Sequence, residues 1–183
     1  MSNFPVLTTD SAPSSSKNLL QKTRNNFGFI PNLIGIMATS PSLTEAYLTV
    51  AGIFSKSDLS ATEQQIVLLT VSRYHECYYC MTVHTAIANM KNVAPDIVEA
   101  IRTDQTISDS KLEALRQFTW LVIEKRGWVD EIDLQTFLNA GYESKHVLDL
   151  LVGVAQKTMS NFTNHIAKTP LDEAFAEVAW KAS

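Results

Sequence analysis

The chain has 183 residues, 45% of them hydrophobic and 19% charged, with a formal net charge of −4. That length and balance describe a globular chain of one domain, and the slight negative charge lacks the basic footprint of a nucleic-acid binder. No run of about eighteen apolar residues is present, so no membrane span is expected.

The N-terminus, MSNFPVLTTDSAPSSSK, lacks the basic start and apolar stretch of a secretory leader, which makes the cytoplasm the expected location. Residues 1–16 are rich in Ser, Thr and Pro and read as an irregular arm, or one that packs on a neighbour. From about Lys17 the pattern is helical, so residues 17–183 read as a single all-α domain of about seven or eight helices. Asn26 to Asn32 reads as a turn between helices. Ser40-Pro41 is an N-cap followed by proline at the first helical position. Ser60-Ala61-Thr62-Glu63 is a capping box that opens a helix through Ile66, Val67, Leu68, Leu69 and Val71. That helix is apolar on most sides and is expected in the core.

A further helix is expected from Glu76 or Cys77 to a stop before Pro95. Ser110 with Glu113 opens another, running to about Lys125 and stopping near Gly127. Between Ser144 and Ile166, apolar residues at 147, 148, 151, 154, 155, 159, 162 and 166 form a helical stripe. Thr169-Pro170, with Asp172 and Glu173 in the first turn, is expected to open the last helix. Trp120, Trp128 and Trp180 read as core or interface residues. Asn164 and His165 read as interface or packing residues, and His146 as a solvated residue near a helix start.

The chemistry-bearing feature is Cys77-Tyr78-Tyr79-Cys80 with His84 beside it. Two cysteines so close together close too small a loop to stiffen a fold, so the pair suits chemistry better than stapling. At about 100° per residue, Cys77, Cys80 and His84 share one helical face. A thiolate is the reactive form of cysteine, and a helix N-terminus or a nearby histidine favours it. Dipole physics points to Cys77 at the helix tip, and proximity to His84 points to Cys80. Tyr78 and Tyr79 read as packing or pocket-lining residues. Two other readings stand beside redox chemistry. One is inert packing of small apolar thiols. The other is a zinc site with His75 or Glu76 as fourth ligand. Against zinc, no second cysteine pair follows, and His146 and His165 lie far along the chain.

The stretch from Leu59-Ser60 through Glu63, then Cys77-Tyr78-Tyr79-Cys80 and His84, resembles the AhpD-like alkylhydroperoxidase branch of the carboxymuconolactone decarboxylase superfamily. Gly28-Phe29-Ile30-Pro31-Asn32-Leu33, Ser40-Pro41 and Asn161-Phe162-Thr163-Asn164-His165-Ile166 resemble its peroxidase-related subgroup. The resemblance implies an all-helical, homo-oligomeric protein, a trimer or hexamer, that reduces hydroperoxides without a cofactor or a metal. It implies that Cys80 attacks the hydroperoxide. Cys77 then resolves the sulfenic acid and meets a dithiol reductant, thioredoxin-like or lipoyl-bearing. His84 and a glutamate would relay protons. Here the glutamate's position is Gln65, which hydrogen-bonds but does not exchange a proton at neutral pH. Glu63 lies about 200° around the helix from it. The alternative function on the same scaffold is a non-redox helical binding or assembly protein. Lactone decarboxylation fits less well, because that branch generally lacks the cysteine pair.

Overall fold

The computed structural model describes residues 3–181. Among them are nine α-helices and one 3-10 helix, with no strand. The helices are α1 (Ser14–Phe27), α2 (Asn32–Met37), α3 (Pro41–Phe54), α4 (Ala61–Tyr74), α5 (Tyr78–Met90), α6 (Pro95–Arg102), α7 (Ser110–Glu124), α8 (Glu131–Asn139) and α9 (Ser144–Ala167). The 3-10 helix spans Glu173–Val178. Eight of the α-helices are long, matching the seven or eight expected, and the turn after α1 leads into the short α2. No helix among the described residues is long and apolar enough to cross a membrane.

The helix starts follow their local chemistry. Ser40 Oγ accepts from Leu43 N at the head of α3. At α4, Ser60 Oγ accepts from Glu63 N, and Glu63 Oε2 accepts from Ser60 N at 2.8 Å. Glu63 also accepts from Tyr142 Oη at 2.9 Å, so its carboxylate is committed to the cap end of α4. Asp109, rather than Ser110, caps α7 through Leu112 N. Gly28 ends α1 in the left-handed conformation, at φ +80°, that glycine adopts without steric penalty.

Every residue of α4 from Gln64 to Ser72 is buried, as expected of a helix apolar on most sides. It packs against α5, α6, α7 and α9. Two clusters form around it. The larger one joins Ile66 and Leu69 of α4, Phe118 of α7, Phe137 of α8 and Leu150 of α9. Phe137 stacks between Phe118 and Tyr142, with both centroid distances 4.4 Å. The smaller cluster joins Leu20 of α1, Leu33, Ile34 and Met37 of α2, and Cys77, Tyr79 and Cys80.

Three regions differ from expectation. The first helix begins at Ser14, inside the stretch read as an arm, and the arm before it packs on α2 through Leu7 N donating to Gly35 O; residues 1 and 2 lie outside the described part. The segment after Thr169 forms only a six-residue 3-10 helix. Tertiary bonds hold it there: the Asp172 carboxylate accepts from Asn32 N and Tyr79 Oη, Trp180 N donates to Thr82 Oγ1, and Trp180 Nε1 donates to Arg102 O. Trp180 is buried, whereas Trp128 is 86% exposed.

The third difference concerns α9. The apolar stripe is helical, but much of it faces outward: Leu148, Leu151, Phe162 and Ile166 are all exposed. The face turned inward carries Gln156, Lys157, Ser160, Asn161 and Asn164. Close approach draws this helix in. A Cβ at Gly153 would lie 2.8 Å from Phe54 Cζ and 2.9 Å from Val67 Cγ1, so only glycine lets the backbones sit this near.

Candidate active site

A tight reversal joins α4 to α5. His75 ends α4, Glu76 takes a left-handed backbone at φ +51°, and Cys77 N donates to Ser72 O at 2.9 Å. Cys77 thereby becomes the N-cap of α5, and Cys80 sits in its first turn. Both are free thiols and both are buried. His84, one turn further, is buried as well. The three side chains share the inward face of α5, packed toward α4 and α9.

The inward polar face of α9 closes over Cys80. Asn164 Nδ2 donates to Cys80 Sγ at 3.1 Å, and Ser160 Oγ lies 3.8 Å from the same sulfur. Lys157, one turn before Ser160, has 0% exposure. Its Nζ makes no hydrogen bond of ordinary geometry, yet its charge acts on Cys80, Cys77, His84 and Tyr47.

The two thiols are driven apart electrostatically. Burial works against a charged Cys80, but the proton donated by Cys77, the Lys157 charge and the Ser160 hydroxyl prevail, holding its pKa well below the ordinary thiol value. Cys77 goes the other way. Its hydrogen bond to Cys80, its burial and the neighbouring negative sulfur all keep it protonated. Both directions favour Cys80 over Cys77 as the sulfur that ionises, although Cys77 occupies the helix tip.

Burial, followed by the charges of Lys157 and Lys91, pushes His84 well below the usual imidazole value, so the ring is neutral. Its Nδ1 meets Gln65 Oε1 at 3.1 Å. A carbonyl oxygen accepts only, which puts the ring proton on Nδ1 and leaves the lone pair on Nε2. Gln65 therefore orients His84 and fixes its tautomer.

His84 also lines a pocket of about 420 Å³, together with Tyr47, Leu48, Tyr79, Ile87 and Gln156. The walls are mostly apolar and aromatic, as in small-molecule sites. Tyr47 links this pocket to the sulfur. Burial raises its pKa, Lys157 opposes that rise, and Gln156 and Ser160 hydrogen-bond its phenol. Tyr79 lines the pocket and anchors it, donating to Asp172 Oδ2 at 2.5 Å while its oxygen accepts from Leu33 N at 3.3 Å.

The structure pairs Cys77 with Cys80, and His84 with Gln65. Of the possible zinc ligands, His75 Nδ1 meets Asn161 Oδ1 at 3.1 Å and Glu76 is exposed. Among the described residues no group of three or more His, Cys, Asp and Glu is arranged to hold a metal ion. His165 is exposed, and His146 Nδ1 accepts from Glu143 N at the head of α9. Sequence reading missed Lys157, Ser160 and Tyr47, and gave Asn164 only a packing role. A signal existed: the face from Gln156 to Asn164 is polar but carries a single charge, where a solvated face would carry several.

The family model of the carboxymuconolactone decarboxylase family matches residues 41–120, which run from α3 through the cysteine pair into α7. That match, over less than half of the chain, takes in Gln65, Cys77, Cys80 and His84. The chain's AhpD-like fold is shared with solved structures. An uncharacterized peroxidase-related protein with an alkylhydroperoxidase AhpD core, from Ralstonia eutropha JMP134, superposes with a TM-score of 0.82 at 18% identity, over 95% of this chain and 94% of that one. An uncharacterized peroxidase-related protein from Silicibacter sp. TM1040 gives 0.79 at 16% identity, over 94% and 92%. The debrominase Bmp8 gives 0.80 at 18% identity, over 96% and 95%. At these identities the likeness is one of AhpD-like fold. No curated protein matches the sequence.

Proposed function

We propose that this AhpD-like chain is a thiol-dependent peroxidase that reduces hydroperoxides through the Cys77–Cys80 pair. The observation that carries the reading is geometric: two free thiols sit one helical turn apart, with Asn164 Nδ2 donating to Cys80 Sγ at 3.1 Å, next to a His84 that Gln65 orients and that lines a mostly apolar pocket. The Cys80 thiolate attacks the outer oxygen of the hydroperoxide, and the O–O bond breaks. Cys80 becomes a sulfenic acid, and the departing alkoxide takes a proton. His84 serves that transfer, its Nε2 lone pair accepting a proton from solvent and passing it on. Cys77 then displaces the sulfenic hydroxyl, giving the disulfide and water. A dithiol protein, thioredoxin-like or lipoyl-bearing, returns two electrons and two protons. The cytoplasm supplies such donors.

The test is to count thiols before and after one equivalent of cumene hydroperoxide, then to follow turnover with a thioredoxin system. Two thiols lost per equivalent, and no consumption in Cys80→Ser, are the expected results. Retention of both thiols would sink the reading and favour the non-redox binding or assembly protein. Tribromopyrrole belongs in the same assay, because Bmp8 is a debrominase and a structure of it holds 2,3,4-tribromopyrrole.

We also propose that the chain self-associates as a trimer or hexamer. The support is the outward stripe of α9, where Leu148 is 64% exposed and Ile166 is 70% exposed along one helical face. Sedimentation velocity at micromolar concentration is expected to show an oligomer, and Leu151→Glu to weaken it. A wild-type monomer would contradict this.

A further inference from the structure

We propose that Lys157 is a positioning residue that holds the Cys80 thiolate as its counter-ion and thereby tilts the Cys77–Cys80 pair toward the reduced state. The inference deepens the peroxidase reading by naming what sets the thiol's reactivity, and it rests on that reading for its role in turnover.

The geometry comes first. Lys157, Ser160 and Asn164 stand at i, i+3 and i+7 on α9, so they share one face. The second and third of these lie 3.8 Å and 3.1 Å from Cys80 Sγ. The first shares that face one turn away, and its charge reaches the same sulfur. A buried ammonium without a partner is strongly unfavourable, and natural proteins pair such charges. Among the described residues no carboxylate lies within ion-pair distance of Lys157, and its Nζ is fully enclosed. The acidic group its charge reaches most directly is the Cys80 thiol. Each is what the other lacks: the sulfur needs a cation to ionise in an apolar cluster, and the ammonium needs an anion to be tolerated there.

The groups that face Cys80 are few. Its own helix brings Cys77, Tyr79 and His84, and α3 brings Tyr47. From α9 comes Lys157, and α4 contributes Gln65, which does not titrate. Asp172 stands behind Tyr79 and is engaged by it. Lys157 is thus the cation acting on the pair from inside the cluster.

A redox consequence follows. In exchange with glutathione disulfide, the dithiol gives up two electrons and two protons, the Cys77–Cys80 bond forms, and two glutathione thiols are released. Thiolate stabilisation by Lys157 acts only on the reduced side. The disulfide state leaves the ammonium without its anion. The lysine therefore resists oxidation at equilibrium while speeding the first nucleophilic attack, as in oxidants whose reduced form is stabilised.

The experiment measures the rate of Cys80 alkylation by iodoacetamide against pH, with the site read by peptide mass spectrometry. It compares the full chain with Lys157→Met and Lys157→Arg. Lys157→Met is expected to move the inflection up by about one pH unit or more, and Lys157→Arg to keep it low. The oxidation equilibrium against glutathione is expected to shift about tenfold toward disulfide in Lys157→Met. An inflection that moves by less than about a third of a unit in a folded Lys157→Met protein overturns the proposal. Should that variant not fold, Lys157→Gln repeats the comparison, and a wild-type inflection at or above about 8.5 overturns it without any variant. Neither readout uses peroxide or a protein reductant. A low, lysine-dependent inflection in a chain that consumes no peroxide would therefore uphold the role of Lys157 and reject the peroxidase reading alone.

Discussion

The two hydrophobic clusters around α4 are built on different terms. The larger one is closed by carbon: stacked Phe118, Phe137 and Tyr142 against Ile66, Leu69 and Leu150. The smaller one encloses the sulfurs and is capped by the polar face of α9. There Gln156 Oε1, Lys157 Nζ, Asn161 Nδ2 and Asn164 Oδ1 are buried without a hydrogen-bond partner. Native interiors leave few such groups, and each costs stability. The contrast assigns separate duties to the two ends of the molecule. One holds the fold, and the other spends part of that stability to seat the cysteine pair among buried polar groups.

Two measurements press on this division. The larger effect is expected at Phe118, whose removal opens a cavity in the carbon cluster. Phe118→Ala should lose about 3–5 kcal/mol in urea denaturation while the Cys80 alkylation profile stays where it was. A displaced alkylation profile would mean that the clusters are coupled. The smaller effect is a pH slope from His84. Its folded pKa lies below the unfolded value, so the unfolded chain takes up a proton first as pH falls. Stability should therefore drop below about pH 6.5, by about 1.4 kcal/mol for each pH unit, until the folded ring also titrates. His84→Gln should flatten that portion of the curve. An unchanged slope would place the acid sensitivity elsewhere.

The larger cluster was legible because its elements announce themselves locally. The Ser60–Glu63 box, the apolar run of α4 and the Gly127 stop all follow from short-range chemistry. The shared burial of Cys77, Cys80 and His84 was equally legible, since all three lie at the head or on the inward side of one short helix, and Gln65, which meets His84, stands on the helix before it. What escaped lies about 80 residues away in sequence, on a helix whose apolar stripe pointed attention to the wrong face. A polar residue on an amphipathic helix reads as solvated by default. Tertiary packing, including the close approach of Gly153 to Phe54 and Val67, turns Lys157 and Asn164 inward. The C-terminal segment was misjudged for a related reason. Its helix-opening residues are real, but Asp172 is taken by Asn32 and Tyr79 before it can cap its own helix.

That fastening also orders events during synthesis. The reactive sulfurs leave the ribosome well before the residues that cover them, with Asn164 following Cys80 by 84 positions and Asp172 following Tyr79 by 93. Through that interval α5 has neither Asn164 nor Asp172 against it. If Lys157 acts as proposed, Cys80 keeps an ordinary thiol's reactivity until the last quarter of the chain docks, and its activation then reports a completed fold.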